Sequence, residues 1–281
     1  MGKKLNWPMI STFIIDYIWG TSLMLLTFYI NLNSMTFTSV SLSYAIGLVS
    51  LYLREYLNFY LLSNTLSKDK TTYQMTWEDH LNCLQKYFQY SMLTWLGAEY
   101  NFVHCRYSDL QSTYLEITIQ YWGMCFLRDY TSMKYLHPWM HDPKNYWIHK
   151  YHHKSQIELN AFHTYKIGAL DGVIENFIGP FIYVILQYLV IGKFAIHFLA
   201  IRFTGWADSN THSANPYSII HFNPFFEYFC KPNLEHNLHH IIQEDYYMFN
   251  NNMFQLQSIE EDVKTYNKLC GTKISFSLYV D

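Results

Sequence analysis

Residues 10–30 read ISTFIIDYIWGTSLMLLTFYI and carry a single charge, Asp16. At 1.5 Å per helical residue such a run reaches about 30 Å, the thickness of the hydrocarbon core of a bilayer. It predicts a membrane span. A short polar loop, NLNSMTFT, leads into SVSLSYAIGLVSLYL and then Arg54 and Glu55. Together the two runs predict a first transmembrane hairpin over 10–62. Its ends share a side with Lys3 and Lys4, which the positive-inside rule makes cytosolic.

Working outward, residues 64–86 are polar and belong in water, whereas 87–104 and 112–127 are apolar runs carrying Glu99 and Glu116. These predict a second hairpin over 87–127, with a pair of buried or interfacial helices as the alternative, because neither run reaches the length of a free-standing span. Residues 176–203, NFIGPFIYVILQYLVIGKFAIHFLAIRF, are apolar again, with Gly192 and Lys193 inside them. After Trp206 the chain turns polar and stays so to Asp281, without internal repeat or low-complexity linker. Half of the residues are hydrophobic and 19% aromatic, more apolar surface than a water-soluble domain uses. The mean hydropathy of -0.08 nevertheless requires a sizeable aqueous part. The expected architecture is all-α: one membrane domain over 1–281, a multi-pass helical bundle with a cytosol-facing, histidine-rich helical cap.

A net charge of -3 and the lack of a basic, aromatic-interleaved stripe argue against nucleic-acid binding. The five cysteines are odd in number and never form a CxxC pair, so neither a disulfide framework nor a zinc ribbon is indicated and a reducing compartment fits. The apolar run after Lys3 and Lys4 is too long for the core of a cleavable signal, and a second run follows it, so the first is expected to remain as an anchor.

The fourteen histidines are clustered. Five fall in HPWMH (137–141) and HKYHH (149–153), and three more in HNLHH (236–240). On a helix, positions i, i+3 and i+4 share a face, so His137 and His141 can converge, as can His149, His152 and His153, and His236, His239 and His240. Neutral imidazole is a common ligand for iron, zinc, copper and nickel. Eight imidazoles exceed the three or four of one zinc site, so a two-metal centre accounts for the number. A histidine-rich metal store is the bland alternative, although such tracts are usually contiguous and of low complexity.

The order HPWMH, HKYHH, HNLHH among apolar runs resembles the fatty acid hydroxylase and sterol desaturase superfamily of membrane di-iron enzymes, over residues 125–245. Within it the sequence is most similar to sterol C5-desaturases (lathosterol oxidases). HKYHH is followed by Ala161-Phe162-His163 and Asp171-Gly172, and Trp206 by Thr211-His212. Pro138 stands where that family usually has arginine. The resemblance implies that His137, His141, His149, His152, His153, His236, His239 and His240 bind two iron ions, with His212 a ninth ligand. The metal centre would be built from segments 128–163 and 205–245. His163 is a further candidate ligand or orienting group, and Asp129, Asp171 and Glu235 are candidate partners for the outer ring nitrogens. The implied activity is dioxygen-dependent desaturation or hydroxylation of a lipid, at the endoplasmic reticulum with the site facing the cytosol. No dinucleotide fingerprint or haem-binding domain is visible, so the electrons must come from elsewhere; the resemblance implies a cytochrome b5-type donor and its NAD(P)H reductase.

For all boxes to share one centre, the 176–203 segment between them must return to its starting side, which predicts a bent membrane hairpin turning near Gly192-Lys193. Three readings stay open at this point: a sterol desaturase, a hydroxylase of fatty acyl, sphingoid or alkane chains, and a catalytically silent metal-binding membrane protein.

Overall fold

The computed structural model describes residues 4–62, 76–154, 161–213, 215, 217, 218, 233–242, 259–275, 277, 279 and 280. The chain is mostly helical. In order, the helices are α1 (Trp7–Asn31), α2 (Phe37–Leu62), α3 (Trp77–Glu99), α4 (Leu110–Arg128), α5 (His137–His141), α6 (Ala169–Gly172), α7 (Ile178–Ile191), α8 (Phe198–Thr211), α9 (Asn233–Ile242) and α10 (Ile259–Cys270). Four two-residue strands complete the described part. β1 (Lys4–Leu5) pairs antiparallel with β4 (Tyr279–Val280), and β2 (Val103–His104) pairs parallel with β3 (Ile196–His197).

The helices α1 and α2 pack on each other as an antiparallel pair. The one charge in the first apolar run explains part of that pairing: Arg54 Nε and Nη2 donate to the two carboxylate oxygens of Asp16 at 2.7 and 3.0 Å, with both side chains fully buried. Arg54 also donates to Ser218 Oγ and lies over the ring of Trp206. A bidentate, hydrogen-bonded pair of this kind is the form in which two charges survive burial.

The expected second hairpin differs from what forms. The chain leaves α3 through Asn101, at a φ of 59°, and enters β2. Helix α3 then packs against α2, while α4 packs between α7 and α8, so the two helices of 87–127 find separate partners. Each start is set locally. Thr76 Oγ1 accepts from the Asp79 amide while Asp79 accepts from the Thr76 amide, and Asp109 accepts from the Ser112 amide. These are caps for otherwise unsatisfied first-turn donors.

A π-helical turn, Val173–Phe177, joins α6 to α7, making one continuous helix over Ala169–Ile191. A second π-turn, Asp129–Leu136, joins α4 to α5. Helices α4 and α7 cross closely because position 179 is glycine: a Cβ there would collide with the backbone of Arg128. Gly192 ends α7 in the left-handed region at a φ of 69°, its amide bonded to Tyr188 O, a conformation that costs a residue with a Cβ. The chain turns there, with Gln187 Nε2 donating to the carbonyls of Lys193 and Ala195, and leads into α8.

Among the described residues two helices, Trp7–Asn31 and Ala169–Ile191, are long and apolar enough to cross a membrane. In the second, only 17% of the apolar window is buried. Phe181, Leu189 and Val190 on α7 are exposed, as are Ile14, Ile18 and Leu25 on α1.

Candidate metal centre

All nine histidines singled out as ligands come together. His137, His141, His149, His153 and His239 form one set, and His152, His212, His236 and His240 a second; within each, the facing ring nitrogens all lie within 4.8 Å of one another. The sets adjoin, with the rings of His153 and His240 4.5 Å apart at their centres. Eight of the nine are buried and His141 is half-buried.

Local structure brings the first and third boxes into place as helical spacing predicts. His137 and His141 stand one turn apart on α5, which carries Pro138 and follows directly on the π-turn Asp129–Leu136. On α9, His236, His239 and His240 share one face, while Leu234 and Leu238 pack on Tyr266 and Cys270 of α10. The second box departs from the α-helical expectation. Asp142 precedes a proline and is extended, at a ψ of 134°, as the clash with the proline ring demands. From there a run of tight turns, including bonds from Ile148 N to Asn145 O and from His152 N to His149 O, leads into a 3-10 turn over His152–Lys154.

The outer ring nitrogens fix the orientation. His149 Nδ1 lies 2.9 and 3.0 Å from the carboxyl oxygens of Asp171, and His137 Nδ1 lies 2.8 Å from Glu175 Oε1. His152 Nδ1 lies 3.3 Å from the carbonyl of Lys166, and His212 Nδ1 3.0 Å from the carbonyl of Asp208 and 2.9 Å from Thr164 Oγ1. A carbonyl only accepts, so His152 and His212 carry their proton on Nδ1 and aim the Nε2 lone pair inward. Asp171, Glu175 and His149 also converge, but through the outer edge of His149, so the carboxyls orient the ring. Asp171 was predicted from the sequence as such a partner; Glu175 was not, although it stands four residues on, on the same helical face. Asp129, a second predicted partner, lies instead in the field of Arg128 and Asp208. The side chains of His163 and Glu235 lie outside the described residues.

The donor set fits metal ions. Burial holds His141 down to about 4 and His152 to about 3, with repulsion from His212 adding at the latter. Burial also holds His137, His149, His153, His236, His239 and His240 well below the ordinary imidazole range. All are therefore neutral, as ligands must be.

Hydrogen bonding alone does not satisfy them. His137 Nε2 lies 3.1 Å from His141 Nε2 and 3.0 Å from His239 Nε2, and His239 Nε2 lies 3.1 Å from His153 Nε2. In the second set, His212 Nε2 is 3.1 Å from His152 Nε2 and 2.8 Å from His236 Nε2, which is 3.1 Å from His240 Nε2. A neutral ring nitrogen holds a proton or a lone pair, and cannot donate to one neighbour while accepting from the next. The Nε2 of fully buried His149 has no hydrogen-bond partner among the described residues. Five and four ring nitrogens in two adjoining sets exceed the four ligands of one structural zinc site.

Beside the centre is a cavity of about 600 Å³ between α1, α2, α3, α4, α7 and α8. Its lining is mainly apolar and includes Thr164 and Asp208, the residues that hold His212. Compared with known proteins, the chain matches no family model, no curated sequence and no solved structure.

Proposed function

We propose that this chain is a membrane oxidoreductase of the di-iron, histidine-box kind, which uses dioxygen to desaturate or hydroxylate a lipid. The observation that carries this reading is the convergence of nine imidazoles into two adjoining sets. Bound there, two iron ions would supply dioxygen activation and removal of hydrogen from an unactivated C–H bond. His137, His141, His149, His153 and His239 would hold one ion, and His152, His212, His236 and His240 the other. Asp171, Glu175, Thr164 and the carbonyls of residues 166 and 208 keep those rings aimed, the role that outer partners play at metal sites.

The other contributions of the chain are placement and exclusion. The apolar cavity against the His212 supports holds one lipid molecule near the centre and keeps water from it. The bare apolar faces of α1 and α7 suit contact with acyl chains, as large exposed apolar patches do. Together with the hairpin of α1 and α2 and the return of the chain from Glu175 through Gly192 to His212, they support a multi-pass bundle with the metal centre on one face. On the resemblance, that face is cytosolic, the membrane is the endoplasmic reticulum, and the electrons come from a cytochrome b5-type donor with an NAD(P)H reductase.

The test is turnover in membranes containing the full chain, a cytochrome b5-type protein, its reductase and NADH, with sterol and acyl lipids supplied. A product lacking two hydrogens or carrying one added oxygen, formed only with dioxygen and lost in His152→Ala, is expected. Zinc-loaded protein that stays inactive after iron supplementation would overturn the reading and favour a silent metal-binding membrane protein.

A further inference from the structure

Three arginines are buried in the helical body, and two of them have carboxylate partners: Arg54 with Asp16, and Arg128 with Asp208 at 2.7 Å. The third, Arg202 on α8, has none among the described residues. It is 9% exposed, its Nε is buried without a hydrogen-bond partner, and its guanidinium carbon lies 4.3 Å from the centre of the Tyr44 ring. Space is kept for it, since a Cβ at Gly47 would collide with Arg202 Nη2. Arg202 also lines the 600 Å³ cavity, together with apolar residues such as Leu23, Met24, Leu51 and Val184.

Guanidinium stays protonated in proteins, and an unpaired buried charge is costly. A ring face answers part of that cost, but it leaves the planar fork of donors unmatched. We infer that Arg202 is the head-group receptor of the cavity, seating a carboxylate or phosphate oxyanion at the end of an apolar body that lies along α8 towards His212. Ten residues of helix separate the two positions, about 15 Å, within reach of a long acyl chain. This deepens the proposed lipid oxidation, on which the link to the metal centre rests. It names the substrate class as an anionic amphiphile in place of a neutral sterol.

The test is isothermal titration of metal-free, full-length protein in a nonionic detergent, with palmitate, hexadecyl phosphate, hexadecanol and cholesterol as ligands. At least one oxyanion is expected to bind about tenfold or more tightly than hexadecanol, and the tighter of the two identifies the head group. Arg202→Leu should erase the difference between oxyanion and alcohol, and Arg202→Lys should restore part of it. Equal affinity of wild type for oxyanion and alcohol, tighter binding of cholesterol than of either oxyanion, or a preference retained in Arg202→Leu would each overturn the inference. The wild-type series decides even where a variant fails to fold. Because no metal is present, loss of the oxidase reading leaves this result standing, and failure here leaves that reading untouched.

Discussion

Replacing Asp171 with alanine should weaken one metal site and spare the other. Both carboxyl oxygens lie within 3.0 Å of His149 Nδ1, and both residues are completely buried. Once they are removed, the nearest carboxyl oxygen is Glu175 Oε1, 3.7 Å away, too far for a good hydrogen bond. Loss of such an outer partner typically costs about 10–100-fold in metal affinity, or about 1.4–2.7 kcal/mol. His149 belongs to the five-histidine set and not to the four-histidine set, so the loss should appear in one of two binding steps. Titration of metal-free protein with ferrous iron against a competing chelator, under anaerobic conditions, resolves the steps. Asp129→Asn is the control, because that carboxyl faces Arg128 and Asp208. Two unchanged steps in folded Asp171→Ala, or two equally weakened ones, would refute the assignment of Asp171 to a single site.

Acid should destabilise the metal-free protein. His141 and His152 titrate at about 4 and about 3 when folded and near 6.5 when unfolded. Between those values the unfolded chain binds more protons, so stability falls as pH drops from about 6.5 towards 4, by about 1.4 kcal/mol per pH unit for each histidine held neutral. A flat melting temperature across that range would contradict the buried neutral cluster. Arg54→Met should cost about 3–5 kcal/mol by stranding buried Asp16, and adding Asp16→Leu should recover part of the loss in thermal unfolding; a double variant less stable than the single one would count against the pairing. Gly179→Ala should cost about 1–3 kcal/mol through overpacking against Arg128, and an unchanged unfolding transition would show that the two helices do not approach so closely.

The parts legible in the sequence are those that helical geometry dictates over a few residues. His137 and His141, and the trio on α9, fall at i, i+3 and i+4 and share a face in the structure. The second box repeats the same spacing, but Asp142-Pro143 breaks the helix before it and the rings meet through tight turns instead. Asp16 was visible as the one charge inside the first apolar run and Arg54 as a charge at the end of the second, yet their pairing depends on how α1 and α2 are set against each other, which the spacing of neither run records. Glu175 carried a usable signal, one helical turn after Asp171. The carbonyls of residues 166 and 208 carried none, since every residue has one. Apolar content alone suggested that α3 and α4 pair; their partners were decided by tertiary packing, with α4 taken up between α7 and α8.

The most direct measurement is metal content by inductively coupled plasma mass spectrometry of detergent-purified protein from iron-supplemented cells. Wild type should be set beside His239→Ala, from the five-histidine set, and His152→Ala, from the four-histidine set. Two irons per wild-type chain, falling to about one in each variant, is the result the two-site centre predicts. Metal-free wild type, or one zinc per chain lost equally in both variants, would contradict it.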